Sequence, residues 1–268
     1  MYKIIASDLD GTLLNQDRII APFTKSVLSE LVAAGKIFVF ATGRHYVDVA
    51  NFRRELGLPA YMITSNGARV HGPDDEVVKQ HDLLPQQVEP VVAIADGDDN
   101  IHIHIYTDQG WLISEDDPEL RHFHDDSGFY YEVFDRHNLP TESVCKIFFI
   151  SKDRSHEALL DLEKRLLATF GDDLAICFST PNCLEVNAKG VSKGSALAEV
   201  AARHGCTLAD CIAFGDGMND EVMLASTGKG LIMADAHDRL KAALPNHEVI
   251  GSNKEEGVAQ YLQAHFLK

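Results

Sequence analysis

Tyr2-Lys3-Ile4-Ile5-Ala6-Ser7-Asp8-Leu9-Asp10-Gly11-Thr12 opens the chain with an apolar run that turns abruptly acidic. Residues 2–6 read as a buried strand with polar chemistry at its carboxyl end. Further along, Pro22 to Ala34 carries Phe23, Val27, Leu28, Leu31 and Val32 at helical spacing and stops at Gly35. Ile37-Phe38-Val39-Phe40-Ala41 is a second apolar strand, ending in Thr42-Gly43-Arg44. A helix from about His45 to Leu56 runs to Gly57 and Pro59, and Tyr61-Met62-Ile63-Thr64 is a third strand, ending in Ser65-Asn66-Gly67. Strand and helix alternate with short breaks, so the strands should form a parallel sheet covered on both faces.

The rhythm changes after about residue 70. Period-2 strands (Ile101 to Tyr106, Lys146 to Ser151, Ala175 to Ser179) are separated by turn-rich stretches and one amphipathic helix, about Ser155 to Phe170. Alternation returns at Ser192 with a helix to His204, the strand Cys211 to Phe214, a helix from Asn219, and two more strand-helix units near Gly230 to Met233 and Val249 to Ile250. The economical division is an α/β core from residues 1–82 and 188–268, with an α+β domain, 83–187, inserted into it. There is no internal repeat and no low-complexity linker.

Composition narrows the function classes. The 41 acidic and 24 basic residues among 268 give a formal net charge of −17. Such a surface repels nucleic-acid phosphates and anionic lipids. No apolar run approaches the ~18–20 residues of a membrane span. The opening segment meets a carboxylate too early for a signal peptide, so a cytoplasmic protein is expected. Cys145, Cys177, Cys183, Cys206 and Cys211 are an odd number without C-x-x-C spacing, which suits buried thiols better than disulfides or zinc. His102 and His104 alternate with Ile101, Ile103 and Ile105, and read as one face of a strand rather than as metal ligands.

In an open parallel sheet ligands bind beyond the carboxyl ends of the strands. Here those ends carry Asp8-Leu9-Asp10-Gly11-Thr12, Thr42-Gly43-Arg44, Ser65-Asn66-Gly67 and Gly215-Asp216-Gly217-Met218-Asn219-Asp220. Four carboxylates gathered at buried strand ends would repel each other, and a bound hard cation such as Mg²⁺ would relieve them. No G-x-x-x-x-G-K-[ST] occurs, and no G-x-G-x-x-G follows a strand, which argues against nucleotide-driven and nicotinamide chemistry. Thr42, backbone amides and Lys193 are left as candidate phosphate ligands, with Ser192 as the expected N-cap that puts Lys193 in a first helical turn.

These residues resemble the haloacid dehalogenase-like (HAD) superfamily. Asp8-Leu9-Asp10-Gly11-Thr12 is similar to its first motif, Ala41-Thr42-Gly43-Arg44 to the second, Val191-Ser192-Lys193-Gly194 to the third, and Gly215-Asp216 with Asn219-Asp220 to the fourth. The long insertion between motifs two and three resembles the type IIB cap of the Cof-type phosphatases, so the resemblance covers the whole chain. It implies a Rossmann-like parallel-sheet core with a cap, and a Mg²⁺-dependent phosphatase acting through an aspartyl-phosphate. Asp8 would be the nucleophile and Asp10 the general acid and base. Asp8, the Asp10 carbonyl and Asp216 would hold the metal, with Asp220 bracing that shell. Lys193, Thr42, Asn219 and the amides of Leu9 and Gly43 would bind the phosphoryl oxygens. Arg44 and Asn66 could touch substrate or anchor loops, and Glu185 and Asn187 could face the site or be strand-surface polars. The expected partners are small phosphorylated metabolites, pyridoxal 5′-phosphate and sugar phosphates first, with no nucleic acid or membrane, for a monomer or weak homo-oligomer. A phosphomutase and a non-catalytic metabolite sensor are the alternatives. The first lacks support because no obvious basic cluster stands in residues 72–188, and the second has no need of Asp10.

Overall fold

A computed structural model describes residues 2–118, 120–122, 127–153 and 155–267. In chain order the first half of the core comprises β1 (Ile4–Ser7), α1 (Pro22–Ala33), β2 (Ile37–Ala41), α2 (Tyr46–Leu56), β3 (Ala60–Thr64), β4 (Arg69–His71) and β5 (Val77–Gln80). The insertion follows as α3 (Pro85–Ala93), β6 (Ile101–Thr107), β7 (Gly110–Ile113), β8 (Tyr131–Val133), β9 (Val144–Ser151), α4 (His156–Phe170), β10 (Leu174–Thr180) and β11 (Cys183–Ala188). The core resumes with α5 (Lys193–Arg203), β12 (Cys211–Gly215), α6 (Glu221–Ser226), β13 (Lys229–Ile232), α7 (Asp238–Ala243), β14 (Glu248–Val249) and α8 (Gly257–Phe266).

The strands form two sheets. One has eight strands in the order β14-β13-β12-β1-β2-β3-β4-β5, and the other has six in the order β10-β11-β9-β6-β7-β8. Every residue of β1, β3 and β12 is buried, so both faces of the first sheet are covered at its centre, as their largely apolar sequences require. From β1 the chain builds outward through β2 and β3, then returns on the other flank through β12, β13 and β14. The order therefore reverses between β1 and β12, and a crevice opens at their carboxyl ends.

The sheet is parallel from β14 to β3, but β4 and β5 extend it as antiparallel strands. The change in rhythm near residue 72 therefore marks a hairpin of the first sheet rather than the start of the second. The opening strand lies two residues later than its apolar run suggests, at Ile4–Ser7. Met218–Asp220 form a separate short turn, and the helix expected from Asn219 begins at Glu221.

The six-stranded sheet sorts its residues by alternation. Ile103 and Ile105 of β6, Ile147 and Phe149 of β9, and Leu184 and Val186 of β11 join Leu159, Leu162 and Leu166 of α4 in one apolar cluster. Those leucines recur at i, i+3 and i+7 along α4, which Ser155 caps. Fully burying each contributes about 1.5–3 kcal/mol. The opposite face carries His102, His104, Tyr106, Lys146, Phe148, Glu185 and Asn187, all buried, and confronts the first sheet's strand ends.

Candidate active site

Asp8 stands one residue beyond β1, with 6% of its surface exposed. Its Oδ1 accepts a 2.7 Å hydrogen bond from Nζ of Lys193, which donates equally to Oδ1 of Asp220 at 2.7 Å. Lys193 can be placed so firmly because Ser192 caps α5: the Ser192 hydroxyl accepts from the Ser195 amide, and the Ser195 hydroxyl accepts from the Ser192 amide. Oδ2 of Asp220 accepts from the amides of Asp216 and Gly217, both at 3.0 Å, so one carboxylate fixes the lysine and the loop after β12 together. Thr12 donates to Oδ1 of Asp216 at 2.7 Å. Gly11 lies between them at φ +74°, where an added Cβ would fall 2.3 Å from Oδ2 of Asp216, so only glycine fits.

Asp8, Asp216 and Asp220 each present an oxygen within 4.8 Å of the others. Burial, reinforced by neighbouring carboxylates and opposed by Lys193, raises Asp8 well above the usual carboxylate range. Burial and Asp220 push Asp216 up to about 7, against the Thr12 hydrogen bond. Burial alone would lower the Lys193 ammonium, but Asp220 and Asp8 outweigh it and hold the lysine above its ordinary value. One ammonium thus leaves three crowded carboxylates under-neutralised. A set of oxygen donors with surplus negative charge fits a hard divalent cation such as Mg²⁺.

Asp10 faces the same crevice in a fork–fork pair with Arg44, Nε to Oδ2 at 2.7 Å and Nη2 to Oδ1 at 2.5 Å. Arg44 also reaches Asp48 at 3.2 Å. The Thr42 carbonyl accepts from the Asn66 amide at 3.1 Å, and the Thr42 hydroxyl accepts from the Arg44 amide at 3.1 Å. Asn66, at φ +61°, donates through Nδ2 to Glu185 at 2.6 Å and to Asn187 at 3.1 Å, and its Oδ1 accepts from Nδ2 of Asn219. The side chains of Arg44 and Asn66 therefore anchor loops.

Above these loops lies a cavity of about 600 Å³, roofed by the polar-aromatic face of the six-stranded sheet. Asp8, Asp10, Thr42, Gly43, Asp216 and Asn219 line its floor. Leu9, Lys193 and Asp220 are completely buried. The roof includes Tyr106, Trp111, Phe148, Lys146, His102 and Glu185. His104 is enclosed behind it, stacked on Phe148 with centroids 4.4 Å apart and accepting from Trp111 Nε1 at 3.0 Å. Burial, then the nearby His102 and Lys146, holds His104 well below the ordinary imidazole value.

Two features escaped the sequence reading. Lys146 is 2% exposed and paired with Glu185 at 2.7 Å, and with Lys152 it supplies the basic groups of the roof that 72–188 seemed to lack. A lysine inside Val144-Cys145-Lys146-Ile147-Phe148-Phe149 was the available signal, since a buried charge needs a partner. His45 caps α2 by accepting from the Val47 amide at 3.2 Å. Its Nε2 donates to the Thr107 carbonyl at 2.9 Å, and the ring stacks on Phe129 at 4.4 Å. All five cysteines are free, three of them buried. Among the described residues no helix is long and apolar enough to cross a membrane.

A family model described as haloacid dehalogenase-like hydrolase matches residues 5–262. An HMP-PP phosphatase of Cronobacter sakazakii (strain ATCC BAA-894) is 42% identical over 267 residues, covering 100% of this chain and 96% of the relative. The HMP-PP phosphatase of Yersinia pestis (strain Pestoides F) is 40% identical with the same coverage. A haloacid dehalogenase-like hydrolase from B. subtilis superposes with a TM-score of 0.86 at 24% identity, over 98% of this chain and 99% of that one. A HAD subclass IIB sugar phosphatase superposes with a TM-score of 0.83 at 22% identity, over 98% of both chains.

Proposed function

This chain belongs to the haloacid dehalogenase-like hydrolases and is a phosphatase, and on that premise we propose that it hydrolyses small phosphorylated metabolites in the cytoplasm with Asp8 as covalent nucleophile. The observation that carries the reading is a buried carboxylate, Asp8, held by Lys193 at the floor of a roofed cavity. Phosphoryl transfer demands positioning and charge neutralisation more than nucleophilic strength. Asp8 attacks phosphorus, its bond to the leaving oxygen breaks, and an aspartyl-phosphate forms. Asp10 gives a proton to that oxygen and then takes one from the water that hydrolyses the intermediate. Both Asp10 oxygens accept from Arg44 in this structure, so the Asp10 carboxyl leaves that pair in order to carry the proton. Lys193, Thr42, Asn219 and the amides of Leu9 and Gly43 bind the phosphoryl oxygens. Asp8, the Asp10 carbonyl and Asp216 would hold Mg²⁺, with Asp220 bracing them. When bound, the metal supplies charge neutralisation for the phosphoryl group.

Residues 1–82 and 188–268 form the catalytic core in this reading, and 83–187 the cap that excludes bulk water. HMP-PP, the molecule in the names of the two phosphatase relatives, is the first substrate to assay. Pyridoxal 5′-phosphate and sugar phosphates come next. The test is phosphate release from these compounds with Mg²⁺ and with EDTA. Turnover with Mg²⁺ that EDTA abolishes is expected, and full turnover in metal-free buffer would sink the metal assignment.

A further inference from the structure

Gly43 sits between two peptide groups held from different sides. The Thr42 carbonyl is taken by the Asn66 amide. Because carbonyl and N–H point oppositely across a trans peptide, that bond turns the Gly43 N–H away from Asn66. The next peptide is held by the cap: Nζ of Lys146 donates to the Gly43 carbonyl at 2.6 Å. The same ammonium bonds Oε1 of Glu185 at 2.7 Å and lies over the rings of Phe148 and Tyr106, 4.5 and 4.9 Å from their centroids. Oε2 of Glu185 accepts from Asn66, which in turn orients Asn219.

An ion pair this deeply enclosed contributes little net stability, because desolvating both charges offsets most of their attraction. Its placement gives it another use. We propose that Lys146 and Glu185 are positioning residues for hydrolysis: they fix the Thr42–Gly43–Arg44 loop from the cap, so that seating the cap and assembling the phosphate pocket are one event. The proposal rests on the reading of Asp8 and this loop given above. Lys146 restrains the peptide that leads into Arg44, and Arg44 holds Asp10. Glu185 restrains Asn66, and through it Asn219. With the cap displaced, both arms lose their outer anchor and the pocket loosens even though every core residue is still present.

The test compares Lys146→Met, Glu185→Gln and the double variant with Lys146→Arg and Glu185→Asp. The double variant leaves no buried charge unpaired and so keeps the fold when the single changes do not. Three unrelated substrates (4-nitrophenyl phosphate, pyridoxal 5′-phosphate and glucose 6-phosphate) are assayed with Mg²⁺ present, and orthovanadate serves as the phosphoryl mimic. In the double variant, kcat should fall about 10²-fold by the same factor for all three, the loss that a displacement of about 1 Å produces, with KM little changed. Vanadate affinity should fall in parallel, and Lys146→Arg should recover part of both. A loss confined to one substrate with vanadate binding intact would make Lys146 a reader of the leaving group and overturn the proposal. So would unchanged kcat in the folded double variant. Asp8→Asn, run alongside, separates the two levels: wild-type turnover there removes the catalytic reading itself, whatever the pair does.

Discussion

In the eight-stranded sheet, acidic groups sit beyond the strand ends, and the central strands β1, β3 and β12 are buried along their whole length. In the six-stranded sheet the polar groups sit on the strands, on the face away from α4. The electrostatics differ as well. Asp8, Asp216 and Asp220 share one ammonium and remain short of positive charge, whereas Glu185 and Lys146 neutralise each other. The floor is built to accept charge that is not its own, whereas the Lys146–Glu185 pair of the roof is neutral before anything binds. Substitutions at the floor should therefore stop chemistry, and those in the cap should change geometry or stability.

The largest expected effect is at the floor. Asp8→Asn keeps the shape and removes the proposed nucleophile, so turnover should fall on the order of 10⁵–10⁶-fold, with no trapped aspartyl-phosphate in rapid quench. Wild-type rates would erase the distinction between floor and roof. Asp10→Asn comes next. It should cost roughly 10²–10⁴-fold per proton-transfer step and leave beryllofluoride binding intact, because no phosphate contact is assigned to that side chain. Loss of beryllofluoride binding in folded protein would move Asp10 into the phosphate site.

A third change tests the opposite face of the cap. Leu162 of α4 is completely buried, and Leu162→Ala should destabilise by about 2–5 kcal/mol. Denaturant unfolding should then resolve the cap melting ahead of the core. A single transition shifted as a whole would show the two sheets to be one cooperative unit.

The smallest effect concerns the seam between the sheets. Burial holds His45 at about 4, against 6.5 when free. The unfolded chain thus takes up the proton first, so the neutral ring's full contribution is present above pH 6.5 and is lost as pH falls towards 4. Protonation would also end the bond that Nδ1 accepts from Val47. His45→Asn preserves a capping side chain and should flatten the fall in stability across that window by up to about 3 kcal/mol. His71, also lowered to about 4 by burial and by Arg53, would account for a remaining slope. An unchanged slope would mean that His45 does not titrate with unfolding.

The contrast also explains what the sequence disclosed. Strand-end loops are contiguous, so Asp8-Leu9-Asp10-Gly11-Thr12 and Gly215 to Asp220 could be read as units, and the parallel order followed from apolar runs alternating with helices. The strand face is assembled from every second residue of separate strands: His102 and Tyr106 on β6, Lys146 and Phe148 on β9, Glu185 on β11. No short window contains them together. Glu185 and Asn187 could be named but not placed, because either strand face would accept them until the pairing with β9 is known. The hairpin of β4 and β5 was illegible for another reason: Val77-Val78-Lys79-Gln80 is too short and too exposed to show a period.

Gly11 has a consequence for how such an enzyme can change over generations. A side chain there would overlap Asp216, and one at Gly215 would overlap Asp220, with an added Cβ only 2.6 Å from the aspartate's own. Random substitution at either position should therefore yield few working offspring. Ile150 borders the cavity from the cap, so a mutational library can explore it while the floor is inherited intact. The floor is locked by close approach, and new substrate preferences therefore have to arise in the roof.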